Sequence, residues 1–213
     1  NNFSVEFWIY FNTGGLGSQN QNIFTTKGQS RIGDNLINYQ LLFYTQTDKS
    51  LRLQLITFNN DNTGSSTDIT HVTTKNGSIG NELTNNISEI ITEKWYHICF
   101  TLNPREITNN VLFYVNGELC NMSDSDLDLT NLKDIKGKIR IGANTFTNYD
   151  KLNSRLNDFT IWSSIRTEQE IKASYHLGRN GKIPATLRSF DIYSNYSRNI
   201  ESYVMNKDCI LYM

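Results

Sequence analysis

The stretch Phe3-Ser-Val-Glu-Phe-Trp-Ile-Tyr-Phe11 decides the fold of this 213-residue chain. Apolar side chains stand at every second position, namely Phe3, Val5, Phe7, Ile9 and Phe11. Successive side chains of a β-strand point to opposite faces of a sheet, so a period of two predicts a strand with one buried face. The opposite face then carries Ser4, Glu6, Trp8 and Tyr10. We therefore expect an antiparallel, all-β fold built outward from this strand.

The same alternation recurs along the chain and predicts further strands. One apolar row is Leu51, Leu53 and Leu55, and another ends at Val115. The second row leads into Asn116-Gly117, a dipeptide suited to the positive φ angles of a two-residue hairpin turn. Other strands are expected at 22–26, 38–45, 67–74, 95–102, 118–122, 137–142, 156–162 and 208–213. Trp95 is expected to be buried, so Trp95→Ala should destabilise the fold by about 3–5 kcal/mol.

One short helix is expected to begin at Thr167. Its hydroxyl can cap the backbone N–H of Glu170 while the Glu170 carboxylate reaches back, as in a capping box, and Gly178 is expected to end the helix. The segments between strands are rich in Asn, Gly, Ser, Thr and Asp, a composition typical of surface loops and not of interdomain linkers. We expect residues 1–213 to form a single domain, a two-sheet antiparallel sandwich with one short helix, excised from a larger protein.

Composition and charge exclude several classes of function. The net charge is -1 and the pI is near 6.3, and scattered basic residues offer no stripe that would neutralise nucleic-acid phosphates. The apolar runs are far shorter than the ~20 residues that span a bilayer, so no transmembrane segment is expected. Cys99 lies in an apolar run and is expected to be buried, while pairing of Cys120 with Cys209 stays open.

The sequence lacks the motifs of common enzymes. Sandwich glycosidases hold two carboxylates on one strand face as E-x-D-x-E, and no such triplet, G-x-S-x-G elbow, P-loop or H-E-x-x-H motif occurs here. His97 is interpreted as a strand residue and not as a catalytic base. We therefore predict that the domain is not an enzyme and uses no cofactor.

An acidic run offers one candidate metal site, which the spacing disfavours. Asp124, Asp126 and Asp128 are similar to the start of a calcium loop. An EF-hand also needs glycine at the sixth position and glutamate at the twelfth, where this chain has Leu129 and Ile135. A solvated acidic loop is the preferred interpretation, and no metal is predicted.

Three stretches, taken in order, resemble one known family. They are Phe3-Ser-Val-Glu-Phe-Trp-Ile9, then Trp95-Tyr-His-Ile-Cys-Phe-Thr101 with Leu112-Phe-Tyr-Val-Asn-Gly117, and then Leu156-Asn-Asp-Phe-Thr-Ile-Trp162 with Glu168-Gln-Glu-Ile171. Their order and spacing resemble the concanavalin A-like and laminin G-like jelly rolls, most of all the N-terminal, lectin-like half of the clostridial neurotoxin receptor-binding region. The resemblance covers residues 3 to about 177 and implies a jelly-roll sandwich.

The resemblance also implies a function. It indicates a secreted, extracellular recognition module of a bacterial toxin or toxin-associated protein, which binds host-surface carbohydrate or a lipid headgroup and has neighbouring domains as further partners. The alternative is a structural spacer or assembly domain with no small-molecule ligand. The S-x-W-Y pattern of the toxins' sugar site is not matched by Lys94-Trp95-Tyr96, so no ganglioside-binding residue is assigned.

Surplus aromatic residues supply the candidate binding site. A platform for a sugar face can be built from Trp8, Tyr10, Tyr39, Tyr149 and Trp162. Internal packing of these rings is the alternative, and at this stage it carries the greater weight. The candidate ligand-binding residues are Tyr10, Asn144, Tyr149 and Asp150. Joint replacement of the last three by alanine should abolish carbohydrate retention with little change in melting temperature.

Overall fold

The computed structural model describes residues 2–16, 20–32, 35–58, 66–74, 78–79, 88–106, 108–120, 127, 137–142, 152–179 and 209–212. Within them the elements are β1 (Phe3–Phe11), β2 (Gln21–Ile32), β3 (Asn35–Thr45), β4 (Leu51–Phe58), β5 (Ser66–Thr73), β6 (Ser78–Ile79), β7 (Ser88–Glu89), β8 (Trp95–Leu102), β9 (Val111–Val115), β10 (Glu118–Leu119), β11 (Gly137–Ile141), β12 (Ser154–Trp162), α1 (Glu168–Arg179) and β13 (Cys209–Tyr212). In this part of the chain, no helix has the length and apolar character needed to cross a bilayer.

Two antiparallel sheets form the expected jelly-roll sandwich. The larger sheet has the strand order β10-β9-β8-β1-β12-β13, and the smaller has the order β11-β2-β3-β4-β5. The predicted strand at 22–26 is longer than expected, because β3 pairs with β2 from Gln21 opposite Thr45 to Ile32 opposite Asn35. β1 lies between β8 and β12 and is hydrogen-bonded on both edges, so it is a central strand of its sheet.

The alternation in β1 produces the core as predicted. Val5, Phe7, Ile9 and Phe11 are all fully buried between the sheets. Phe7 meets Phe43 of the other sheet edge-on, with ring centroids 6.0 Å apart, and Phe43 stacks on Phe113 at 5.6 Å. Aromatic pairs in these geometries add to the free energy gained by burying apolar area. The two sheets are therefore held together by an aromatic core centred on β1 and β3.

The outer face of β1 is also buried along its first half, because α1 packs over it. Glu6 lies there with its carboxylate Oε2 3.5 Å from Nε of Arg166. Nη2 of Arg166 donates hydrogen bonds to the backbone oxygen of Glu170 at 3.1 Å and to Oγ of Ser174 at 2.9 Å. The same guanidinium lies 4.3 Å from the ring centroid of Trp162. Burial raises the pKa of Glu6, an effect that Arg166 opposes only in part.

The helix begins as predicted but ends differently. The Thr167 backbone N–H donates to Oε2 of Glu170 at 2.7 Å, and the Glu170 N–H donates to the Thr167 hydroxyl at 3.3 Å, which is the capping box. The prediction that Gly178 ends the helix is wrong by one residue, because α1 continues to Arg179. A Cβ on Gly178 would lie 2.5 Å from the Trp8 ring, so glycine is needed there for close packing.

The strand order decides whether Cys120 and Cys209 can form a disulfide. Cys99 is fully buried, as predicted. Cys120 follows β10 and Cys209 begins β13, so they belong to opposite edges of the six-stranded sheet. With strands about 4.8 Å apart, that separation is far greater than the roughly 7 Å between Cα atoms that a disulfide tolerates. The two cysteines therefore do not pair in this fold.

The hairpin turn yields a first testable prediction. Asn116 and Gly117 have φ angles of 54° and 82°, and Val115 pairs with Glu118 across the two-residue turn, as expected. Gly117→Val should destabilise the fold by more than about 1 kcal/mol, because a β-branched residue resists positive φ. The control Glu118→Val, at an exposed strand position, should change the free energy of unfolding by less than about 0.5 kcal/mol. Equal effects of the two changes in urea denaturation would contradict the turn assignment.

The buried imidazole of His97 yields a second prediction. Its ring packs beside the stacked rings of Trp8 and Tyr175, with centroid distances of 5.3 and 6.2 Å. Burial, assisted by the positive charge of Arg166, lowers the pKa of His97 to about 3. In the unfolded chain the pKa returns to about 6.5, so below that pH the unfolded state binds a proton that the folded state does not.

Stability should therefore fall as the pH drops from about 6.5 towards 3, with up to about 1.4 kcal/mol per pH unit due to His97. The variant His97→Gln should show a flatter dependence in this window when urea denaturation is repeated at several pH values. The exposed His176→Gln should keep the wild-type slope. Parallel curves for wild type and His97→Gln would show that the imidazole is protonated in the folded state.

Candidate functional site

The helix covers only part of the outer face of the six-stranded sheet. Tyr175 and Gly178 of α1 pack on Trp8, while the next outward position of β1 is Tyr10. Tyr10 is paired with Trp95 of β8 on one side and with Arg155 of β12 on the other. We call Trp95, Tyr10 and Arg155 the outer aromatic row. It runs across three adjacent strands, beside the part of the face that α1 covers.

The row is a packed and exposed surface. The rings of Tyr10 and Trp95 have centroids 5.5 Å apart and an interplanar angle of 56°. Cζ of Arg155 lies 5.3 Å from the Tyr10 ring centroid, a cation–π arrangement. Trp95 is 42% exposed. Since adjacent strands are about 4.8 Å apart, the row extends over about 10 Å, roughly the length of one or two sugar rings.

Polar side chains surround the same end of the three strands. Nδ2 of Asn12, directly after β1, donates to Oδ1 of Asn153, directly before β12, at 3.2 Å. The hydroxyl of Thr13 donates to Oε1 of Glu93 at 2.8 Å. Asn157 is exposed and lies opposite Trp8. These amide and carboxylate groups give the row a rim that can hydrogen-bond a ligand.

Of the four predicted binding residues, the structure describes only Tyr10, which is half-buried at the centre of the row. Asn144, Tyr149 and Asp150 lie outside the described residues, as do Asp124, Asp126 and Asp128. In sequence, the first three belong to the segment that precedes β12, the strand that carries Arg155. Their convergence with Tyr10 stays a prediction.

Two members of the predicted platform are not exposed. Tyr39 is fully buried in the core of the sandwich, and Trp162 is 1% exposed beneath Arg166. Trp8 is half-buried against α1. Tyr39 is in phase with Leu41 and Phe43 on the core face of β3, so the alternation along that strand indicates its burial. Trp8 and Trp162 face outward, and the sequence pattern could not show what packs above them.

The prediction that Trp95 is buried is wrong, and the sequence contained the signal that corrects it. Tyr96, Ile98, Phe100 and Leu102 form the buried row of β8. Trp95 is therefore one residue out of phase with the inner face and points outward beside Tyr10. Arg155 was missed because its role arises from pairing with Tyr10, which is about 145 positions distant in the chain.

Two buried titratable side chains, Glu6 and His97, lie away from the row. Glu6 is buried beneath α1 against Arg166, and His97 is buried beside the stacked rings of Trp8 and Tyr175. Among the described residues, no group of three or more His, Cys, Asp or Glu side chains is arranged to hold a metal ion. Glu6 and His97 therefore lie where α1 and the residue Arg166 before it pack on the sheet.

Comparison with known proteins gives a family match. The family model described as the concanavalin A-like lectin/glucanases superfamily matches residues 1–172. No curated protein matches the chain.

Solved structures with a similar fold include modules from bacterial proteins. The botulinum neurotoxin serotype G binding domain is 18% identical, with a TM-score of 0.45, over 84% of this chain and 36% of its own. The CBM40 module of the Ruminococcus gnavus IT-sialidase is 7% identical, with a TM-score of 0.49, over 81% of this chain and 80% of its own. The NanB sialidase of Streptococcus pneumoniae is 13% identical, with a TM-score of 0.45, over 80% of this chain and 23% of its own. The chain thus spans about a third of the neurotoxin domain.

The exposure of Trp95 predicts how its loss affects stability. Trp95→Ala should cost about 1–2 kcal/mol, because 42% of the side chain stays exposed to water in the folded state. Its neighbour Tyr96 is 1% exposed, so Tyr96→Ala should cost about 3–5 kcal/mol. Urea denaturation of both variants measures the difference. A loss of 3 kcal/mol or more at Trp95 would mean that this ring is buried after all.

Proposed function

Because the chain belongs to the concanavalin A-like lectin/glucanases superfamily, we propose that it is a carbohydrate-binding recognition module without catalytic activity, and that its ligand lies on the outer aromatic row. The observation that carries this proposal is the exposure of Trp95 beside Tyr10. Water solvates an aromatic ring poorly, so the exposed ring of Trp95, beside the half-buried ring of Tyr10, gains free energy when a ligand covers it. The apolar C–H face of a sugar is such a ligand.

The rim of the row supports the choice of a sugar. A sugar presents hydroxyl groups around its apolar face, and each hydroxyl both donates and accepts hydrogen bonds. The amides of Asn12, Asn153 and Asn157 offer donors and acceptors near the ends of the row. Aromatic stacking in the centre with amides at the edge is a usual arrangement of shallow ligand sites.

A binding role is favoured over hydrolysis of a glycan. Glycoside hydrolysis needs two carboxylates that flank the scissile bond. The sequence contains no E-x-D-x-E triplet, and the carboxylate of Glu6 is buried beneath α1. We therefore assign the domain to recognition.

We extend the proposed site to Asn144, Tyr149 and Asp150, which stand shortly before β12 in sequence. We also propose the wider setting. Residues 1–213 are one domain of a larger, secreted bacterial toxin or toxin-associated protein, with neighbouring domains as partners and a host-surface glycan or a lipid headgroup as ligand. The family resemblance of the three sequence stretches supports this setting.

A glycan array with the purified domain tests the proposal. The wild-type domain should retain a defined set of glycans, and Trp95→Ala should reduce their retention at least about tenfold, a loss of about 1.4 kcal/mol, within the range for one aromatic contact. The control Ile139→Ala removes a comparably exposed side chain, 44% against 42%, from the other sheet, and should bind like wild type.

The outcomes separate the alternatives. A wild-type domain that retains no glycan would overturn the proposal in favour of a structural spacer. Retention that survives Trp95→Ala would place the ligand elsewhere on the domain. Alanine at Asn144, Tyr149 and Asp150 together tests the extension of the site to these three residues, and is expected to abolish retention while the melting temperature stays within about 2 °C of wild type.

A further inference from the structure

Arg155 is the cation within the outer aromatic row, and no acid among the described residues neutralises its charge. Arg166 lies between Glu6 and Glu170, and Lys172 contacts Glu168 and Glu118. Within the described part of the chain, the contact of Arg155 is the ring of Tyr10, and no carboxylate lies within ion-pair distance of its guanidinium. Its N–H donors are therefore available to a ligand.

Lys94 is a neighbour of the row in sequence but not a member of it. It directly precedes Trp95, and its Nζ lies 5.6 Å from the ring centroid of Tyr96, which belongs to the buried row of β8. Arg155 is therefore the cation that the row itself contains.

The side chain of Arg155 is ordered by its contact with Tyr10. An exposed arginine normally loses side-chain entropy when it orders on a ligand. Here the Tyr10 ring already holds the guanidinium at 5.3 Å, so part of the side-chain entropy of Arg155 is lost before a ligand binds. A guanidinium presents paired donors that match the two oxygens of a carboxylate or sulfate.

We infer that the outer aromatic row binds an acidic oligosaccharide, with Trp95 against a sugar face and Arg155 donating hydrogen bonds to its carboxylate or sulfate. This inference rests on the proposed function and names the class of its ligand.

The test compares matched ligands on one surface. Lactose, its sulfated form and a disaccharide containing glucuronic acid are immobilised, and binding of the domain is measured by surface plasmon resonance at low and high salt. The wild type should bind the two acidic sugars at least about tenfold more tightly than lactose, and added salt should reduce that preference. Vesicles of phosphatidylcholine with one-fifth phosphatidylserine give the corresponding measurement for an anionic lipid.

Three variants assign the effect to Arg155. Arg155→Gln should remove the preference for acidic sugars over lactose, and Arg155→Lys, which keeps the charge but not the paired donors, should keep part of that preference. Arg105→Gln is the control, since it removes the same charge beyond the far end of β8. It should bind like wild type.

Equal binding of lactose and the acidic sugars, unchanged in Arg155→Gln, would overturn the anionic ligand while the carbohydrate-binding proposal stands. Loss of binding to all three sugars in Arg155→Gln would mean that the arginine positions Tyr10 and does not contact an anion. Binding of the vesicles without binding of any sugar would overturn both the acidic oligosaccharide and the proposed function.

Discussion

The buried ion pair between Glu6 and Arg166 is the contact on which the outer face of the larger sheet depends. A carboxylate in the middle of a central strand is costly to bury, and its raised pKa reflects that cost. Arg166 offsets the cost only because α1 holds its guanidinium, through Ser174 and the backbone of Glu170, above Trp162. Such pairs contribute more to a defined arrangement than to net stability. Here the pair sets where the helix lies on the sheet.

The position of the helix in turn defines the surface proposed to bind a ligand. Gly178 lies on the Trp8 ring with no room for a Cβ, so the last turn of α1 is in direct contact with the sheet at this point. The same side of the sheet continues to Tyr10, which packs with Trp95 and Arg155 instead. Trp8 and Tyr10 stand two positions apart on one face of one strand, and only the first is covered by the helix. The aromatic surplus of this chain therefore serves two purposes, helix docking and an exposed row.

The sequence predicted the sandwich fold more completely than it predicted the candidate binding site. The period of two in β1, the Asn116-Gly117 turn and the Thr167 capping box involve residues within a few positions of each other, and all three were predicted correctly. Trp95 was placed on the wrong face although its neighbours Tyr96 and Ile98 indicated the right one. Arg155 was not recognised, because nothing in its local sequence distinguishes it from any other exposed strand residue.

The sequence by itself determined which face of each strand meets the core, since side-chain direction along a strand is a property of the backbone. Only the tertiary structure decided which outward residues stay exposed. That outcome depends on contacts between distant segments, such as the backbone N–H of Arg166 donating to the hydroxyl of Ser4 at 2.9 Å across 162 residues. Burial of an outward side chain is set by the residues that come to rest on it. Trp8 is covered by α1 and Trp162 by Arg166, whereas Tyr10 lies beside Trp95 and Arg155 and is only half-buried.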